Sequence, residues 1–441
     1  MKNVLVLGAG LVASPLVRYL LEQARANVTI ATRTVSKAEK LINGHSRGRA
    51  YSLNVENQPE LEELIKSADV VISLLPWTHH MQVARLCLKY ARHLVTTSYV
   101  KSVMSALNDQ VKQKGVLFLN EIGVDPGIDH MAAMKIINQV KKDGGEIESF
   151  YSYCGGLPSL QSNTNPLGYK FSWSPVGVML AALNNGCYLK NGNLIEVKEE
   201  QLFEHYWLLD VPGSGTYEAY VNRDALPYKK LYGIESALSI YRGTLRNVGH
   251  CESWNYFKKI GLFRQDLQFD FEQLTVAKVL AQLVNGTEKT LTEDVAGYLK
   301  IQPYSITIKK LEWLGLFSNK KVPLKMASVF DMFAFILQQK LVYAPRETDL
   351  LLQHHEFITT YSGGRREKIT STMVDSGIAN GDSSMARTVS LPAAIATRLI
   401  LENKINLTGV CIPVYPQIYL PVLEELEYMD IKLVDRKFTI T

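Results

Sequence analysis

The sequence predicts an α/β protein: an N-terminal doubly wound parallel sheet and a mixed α+β second domain carrying a small helical insertion. Three observations carry that expectation. Residues 1–120 alternate short apolar runs with helical patterns. Those runs are continuously apolar, as in strands buried on both faces. Beyond them the chain has more aromatic residues, fewer strand–helix alternations, and strand-like runs paired across short turns.

Val4–Leu7 reads as a strand and Val12–Gln23 as a helix. Asn27–Ala31 is a second strand, and Lys37–Ile42 starts a second helix. Asp69–Leu74 is a β-rich run closed by Pro76, and the spacing of Val83, Leu86 and Leu88 makes Met81–Tyr90 helical. His93–Thr97 and Val116–Leu119 are further strands. The segment Asn120 to Gly127 breaks this rhythm as a turn, with Asp129 expected to cap the next helix. Glu148–Tyr153 reads as a strand and Gly155-Gly156-Leu157-Pro158 as a turn. Hairpins are predicted at Asn185–Val197, and for Phe357–Tyr361 with Lys368–Met373 across Ser362-Gly363-Gly364-Arg365. Val276, Val279, Leu280 and Leu283 give Phe263–Phe317 a helical period. From Leu391 the chain returns to helix, then an apolar run at Gly409–Pro413 and a helix near Pro421–Tyr428. The predicted division is 1–127 for the first domain, completed by 391–441, and 128–390 for the second, with the insertion at about 263–317.

A chain of 441 residues exceeds one ordinary core, and 46% apolar with 21% charged residues is a globular balance. A net charge of +5 does not by itself imply a nucleic-acid partner, none is expected, and the basic excess could serve acidic small molecules. The five cysteines form no CxxC pair, so free thiols in a reducing compartment are expected. No Cys/His cluster has metal-ligand spacing, and no metal is expected. No run reaches the roughly 18 apolar residues of a membrane span. A cytoplasmic protein without a membrane partner is the expectation. A strand-rich second domain adds the expectation of a homodimer.

Gly8-Ala9-Gly10-Leu11-Val12-Ala13 lies directly after the first strand and opens a helix. The first glycine permits the tight turn, the second lets a pyrophosphate approach the backbone, and the small third residue lets helix and strand pack closely. This is the dinucleotide loop of a Rossmann domain. NAD-binding versions carry an acid near the end of the second strand. Here that region reads Ala31-Thr32-Arg33-Thr34, where Arg33 and its flanking hydroxyls suit a 2′-phosphate. NADP is therefore favoured over NAD.

Loops rich in Gly, Arg, Lys and aromatics follow: Cys154 to Pro158, Asn165 to Ser174, Asn222-Arg223-Asp224, and Arg242-Gly243-Thr244-Leu245-Arg246. They suit an anionic ligand packed against a flat ring. Residue chemistry alone reaches a dinucleotide enzyme with an anionic substrate.

On Gly8 to Val12, Val95 to Tyr99, Asn120 to His130, Tyr153 to Pro158, Asn165 to Ser174 and Arg242 to Arg246, the chain resembles the glutamate-forming saccharopine dehydrogenases (saccharopine reductases) over essentially its whole length. The run Asn-Pro-Leu-Gly-Tyr-Lys-Phe-Ser-Trp-Ser at 165–174 is the most specific part. The resemblance implies NADP-dependent interconversion of saccharopine and water with glutamate and 2-aminoadipate 6-semialdehyde, through an imine. It implies cofactor contacts at Ala9 to Val12, Thr32, Arg33, Thr34, Leu53, Asn54, Leu74, Thr96, Thr97, Gly123, Val124, Asp125 and Trp173. It implies substrate contacts at Ser98, Tyr99, Asp125, Arg223, Thr244, Leu245 and Arg246. Arg223 and Arg246 can each hold a carboxylate bidentately. Asp125 is the first choice for the proton shuttle, with Lys170, Tyr99, Cys154 and His130 also candidates. An amine–aldehyde reductase of the carboxynorspermidine synthase type, or a non-catalytic NADP-binding regulator, would share the loop.

Overall fold

The computed structural model describes residues 2–440. In chain order the first part comprises β1 (Asn3–Leu7), α1 (Ala13–Glu22), β2 (Asn27–Thr32), α2 (Val35–Ile42), β3 (Gly48–Ser52), α3 (Gln58–Ser67) and β4 (Val70–Ser73). There follow α4 (His80–Lys89), β5 (His93–Thr96), α5 (Ser102–Ser105), α6 (Asn108–Gln113), β6 (Leu117–Leu119), α7 (Ile128–Lys142) and β7 (Glu146–Pro158). The middle holds α8 (Pro175–Ala181), β8 (Gly186–Lys190), β9 (Asn193–Val197), β10 (Tyr206–Val211), β11 (Gly215–Val221), α9 (Pro227–Leu231), β12 (Ser239–Arg246) and α10 (His250–Ile260). Next come β13 (Gln268–Asp270), α11 (Val276–Leu283), α12 (Leu291–Leu299), α13 (Ile306–Leu314), β14 (Met326–Ser328) and α14 (Val329–Lys340). The chain closes with β15 (Asp349–Thr360), β16 (Arg366–Ser376), α15 (Ser384–Leu401), β17 (Gly409–Cys411), α16 (Pro416–Tyr428) and β18 (Val434–Ile440).

Two compact units result. The first takes residues 1–147, 231–236 and 355–441, and the second takes 148–230 and 237–354. These bounds differ from the expected ones, because α7 stays with the first unit and the return comes at His355 rather than Leu391.

In the first unit seven parallel strands run in the order β17-β6-β5-β4-β1-β2-β3. From β3 to β6 this is the doubly wound order, which reverses between β1 and β4. Val4 to Leu7 are at most 1% exposed, as strands covered on both faces must be. One face packs Leu5, Leu7, Val71 and Phe118 with Leu61 and Ile65 of α3 and Val83 and Cys87 of α4. On the other, α15 packs along α1, and Arg398 Nε donates to the Tyr19 hydroxyl at 2.7 Å. The sequence predicts no element for β3 and α3. The strand Gly-Arg-Ala-Tyr-Ser sits at the sheet edge, half exposed, and carries no apolar run.

The second unit aligns β10, β11, β12 and β7, the first three antiparallel and the last pair parallel. The predicted hairpin at 185–197 is β8 with β9, pairing Leu189 with Leu194. The predicted helical segment is α11 to α13, preceded by β13, which pairs antiparallel with β14.

Two local expectations change. Gly155 to Pro158 is not a turn; it continues β7 as an extended strand. The glycine is there for clearance: a Cβ on Gly155 would lie 2.8 Å from both the Leu245 carbonyl oxygen and Cβ. Asp129 is not the residue before α7. Gly127 holds that position, and the Asp129 Oδ1 in the first turn accepts from the Gly127 N–H at 2.6 Å. Gly155→Ala is expected to destabilise the fold by about 1–3 kcal/mol through this crowding, read as a lower urea midpoint at unchanged slope. An unaltered midpoint would show that β12 yields freely.

Candidate active site

Ligands of open parallel sheets gather at the carboxyl ends of the strands, near the point where strand order reverses. In the first unit the predicted cofactor residues all follow those ends. Gly8 follows β1, Thr32 to Thr34 end and follow β2, Leu53 and Asn54 follow β3, Leu74 follows β4, and Thr96 and Thr97 end and follow β5. Gly123, Val124 and Asp125 come after β6.

The loop after β1 has the shape its glycines predict. Gly8 takes φ +107°, its N–H donates to Ala31 O at 2.9 Å, and a Cβ there would lie 3.2 Å from the Leu74 carbonyl oxygen. A Cβ on Gly10 would meet nothing within 4 Å, so this backbone stands open to a ligand. Leu11 is exposed, while Ala13 is fully buried and sets α1 tight against the sheet. The first turn of α1 carries no acidic residue to repel an anion, and no side chain caps it. Leu53 is buried and donates its N–H to Thr32 O at 3.0 Å. Asn54 turns its side chain back to accept from the Glu56 N–H at 3.2 Å. Arg33 and Thr34 are exposed. The Arg33 side chain has no hydrogen-bond or ion-pair partner among the described residues.

Sequence reasoning missed the residue that ties two of these strand ends together. His80, the first residue of α4, is 6% exposed. Its Nδ1 lies 2.9 Å from Ser73 Oγ, and its Nε2 lies 2.8 Å from Ser98 Oγ and 3.2 Å from Thr96 Oγ1. Burial pushes its pKa down to about 4, so the ring is neutral near pH 7. Nothing in local sequence marks this histidine, since its partners lie on other elements.

Beyond β6, the Tyr99 hydroxyl donates to Asp125 Oδ1 at 3.0 Å, which joins two of the predicted residues. Glu121 and Tyr232 were also missed. Glu121 accepts from the Val100 N–H at 2.8 Å and meets His130 Nε2 at 2.8 Å, while His130 Nδ1 meets the Tyr232 hydroxyl at 2.5 Å. His130, a candidate acid/base, is thus fully buried with both ring nitrogens engaged.

The second unit centres on Arg246, the last residue of β12, which is 7% exposed. Its guanidinium lies 4.9 Å from the Tyr169 ring centroid and donates to the Leu245 carbonyl oxygen at 2.9 Å. Its Nε has no partner. Among the described residues no carboxylate pairs with it. Glu218, its register partner across β11, instead accepts from the N–H groups of Gly249 and Cys251, each at 2.7 Å. Tyr220 faces Thr244 across the same strands, and burial pushes its pKa up to about 12. His250 is held well below the usual histidine range, first by burial and then by the nearby Arg246 and Lys310 charges. Neither supplies a negative charge near neutral pH.

The other predicted residues of this unit divide. Leu245 is fully buried, so only its backbone could meet a ligand. Trp173 is half-buried over Gly177, where a Cβ would come within 2.7 Å of its ring. Arg223 is exposed, with φ +61°. Cys154 is buried. Lys170 is 4% exposed, ion-paired to Glu347, and donates to Thr164 Oγ1 at 2.9 Å. A lysine so paired is not a free base.

Models of two families cover the chain: the saccharopine dehydrogenase NADP binding domain at residues 4–119 and the saccharopine dehydrogenase C-terminal domain at 123–431. The chain belongs to the saccharopine dehydrogenase family. Saccharopine dehydrogenase [NADP(+), L-glutamate-forming] of Schizosaccharomyces pombe is 36% identical over 98% of both chains. The protein of the same name from Saccharomyces cerevisiae is 36% identical over 97% of both. The solved apo saccharopine dehydrogenase (L-Glu forming) from Saccharomyces cerevisiae matches with a TM-score of 0.90 at 34% identity, covering 100% of each chain.

NADP is the cofactor of this family's N-terminal domain, and the residues present fit it: an open glycine backbone, an acid-free helix start and an unpaired Arg33. Among the described residues no three His, Cys, Asp or Glu side chains converge on a metal site, and no helix is long and apolar enough to cross a membrane. Arg33→Asp is expected to weaken NADP⁺ binding at least about tenfold more than NAD⁺ binding, measured by titration calorimetry with each. Equal losses would mean that Arg33 does not meet the 2′-phosphate.

Proposed function

We propose that this protein is an NADP-dependent, L-glutamate-forming saccharopine dehydrogenase. It interconverts saccharopine, NADP⁺ and water with L-glutamate, 2-aminoadipate 6-semialdehyde and NADPH, in lysine metabolism. One observation supports this reading beyond the family likeness: a buried guanidinium without a carboxylate of its own. Such a charge is costly unless a ligand completes it, and saccharopine carries three carboxylates.

The bound nicotinamide supplies or accepts the hydride. The chain does the rest. Arg246 holds one substrate carboxylate with Tyr169 stacked behind it, and Thr244 hydrogen-bonds beside it. Exposed Arg223 takes a second carboxylate. Imine formation and hydrolysis each move a proton on and off nitrogen and oxygen. Asp125, accepting from the Tyr99 hydroxyl, is the group we assign to that transfer. Lys170 we assign to holding the Asn165–Phe171 segment through Glu347, rather than to proton transfer. The proposal includes a cytoplasmic homodimer; five free cysteines fit a reducing compartment, and sedimentation analysis reads the oligomer.

Purified protein is expected to reduce NADP⁺ with saccharopine, followed by absorbance of the reduced cofactor. Turnover instead of a diamine with aspartate semialdehyde would move the chain to the carboxynorspermidine type, and no turnover of either would favour a regulator. Arg246→Met is expected to cut kcat/KM for saccharopine by about 100-fold or more. The same change is expected to hold or raise stability by about 1–3 kcal/mol, since it removes an uncompensated buried charge. A variant that is less stable yet fully active would place the guanidinium outside the substrate site.

A further inference from the structure

We infer that His80 is a positioning residue whose tautomer leaves the Ser98 hydroxyl hydrogen free to be donated to a carboxylate of the substrate. A neutral imidazole donates from one nitrogen and accepts at the other. Ser73 is fully buried at the end of β4, and among the described residues its hydroxyl has His80 Nδ1 as its only partner.

Two arrangements are open. If Nδ1 carries the proton, it donates to Ser73, whose own hydroxyl hydrogen is then stranded in the interior. The hydroxyls of Ser98 and Thr96 then compete for the single lone pair of Nε2. If Nε2 carries the proton, Ser73 donates to Nδ1 and is satisfied. The Nε2–H then points to Ser98 Oγ at 2.8 Å, with Thr96 Oγ1 farther at 3.2 Å. Thr96 Oγ1 also accepts from the Ser98 N–H at 3.3 Å, which suits an acceptor.

Either arrangement leaves two hydroxyl hydrogens over. In the first, Ser98 is the nearer donor to Nε2, and the two left over sit on Ser73 and Thr96, 0% and 1% exposed. In the second they sit on buried Thr96 and on half-buried Ser98, just past the carboxyl end of β5, where a ligand of a parallel sheet lies. An unmade hydrogen bond in the interior costs more than one a ligand completes. Donation therefore runs one way, from Ser73 through His80 to Ser98, and Ser98 meets its ligand as a donor. That free hydrogen favours a carboxylate, which can only accept. Burial supports this by keeping the ring neutral near pH 7, so only one nitrogen donates.

The tautomer assignment stands independently, while the identity of the carboxylate rests on the proposed function. Ring-¹⁵N-labelled protein at pH 8, with His80→Gln as the assignment control, reads the tautomer directly. An unprotonated Nδ1 and a protonated Nε2 are expected; the reverse pattern overturns the inference. Kinetics read the consequence. His80→Met is expected to raise KM for saccharopine about tenfold with a smaller change in kcat, since the Ser98 hydroxyl is no longer held in the orientation that donates to the carboxylate. His80→Gln, which keeps a donor amide near the Nε2 position, is expected to recover most of that loss. In a Ser98→Ala background the His80→Met change is expected to add little. Additive effects of the two changes would make His80 merely structural and sink the idea. If the wild type failed to turn over saccharopine, the functional reading would fall and the nitrogen signals alone would decide the tautomer.

Discussion

Removing a guanidinium from water costs several kcal/mol that only a well-placed anion returns. Arg246 has been taken out of water at the end of β12, and every neighbour that could have neutralised it is committed elsewhere or uncharged. Glu218 holds the start of α10 through Gly249 and Cys251. Tyr220 and His250 are neutral in their buried surroundings. The second unit can afford this because its sheet is otherwise well paired and its aromatic cluster, with Trp254 and Phe203 beside His250, is apolar and close-packed. Under the proposed function, this uncompensated charge is what draws an acidic substrate.

The first unit solves a different problem. Under the proposed function its cofactor would be held by backbone and small polar groups, so what counts is where the strand ends lie. Parallel register brings Leu7 level with Ala31 and Ser73, and Ser73 level with Thr96. Glycine at position 8 lets the turn pass against Leu74, and alanine at 13 lets the helix come down behind it. Polar side chains then link neighbouring ends: His80 across β4 and β5, and the Tyr99 hydroxyl with Asp125 beyond β6. Each such bridge converts a loop into part of the rigid sheet, and positioned donors are worth more than mobile ones.

The parts legible in the sequence are those whose cause is local. The glycine loop, the buried strands β1, β4 and β5, and the β8–β9 hairpin all announce themselves through spacing and turn chemistry. What escaped has a non-local cause. β3 is an edge strand without an apolar run, so nothing separates it from a polar loop. Gly155 and Gly156 look like a turn until the approach of Leu245 is known, 90 residues later in sequence. Lys170 reads as a free ammonium until Glu347 is placed beside it. His80 carries meaning only once Ser73, Thr96 and Ser98 converge on one ring. Arg246 and Asp125 were legible as residues, but the lack of a carboxylate beside the guanidinium among the described residues and the Tyr99 bond to Asp125 were not.

The first unit is assembled from three separated stretches of chain, and this bears on how it is made on the ribosome. β6 receives its outer neighbour only when residues 409–411 emerge, because β17 pairs with it from the far end of the sequence. The helix that lies along α1 is likewise drawn from residues 384–401. At synthesis rates of roughly 5–20 residues per second, a nascent nucleotide half therefore waits on the order of 15–60 seconds with an open sheet edge and a bare helix flank. The three-residue length of β6 limits what a foreign strand could pair with during that interval.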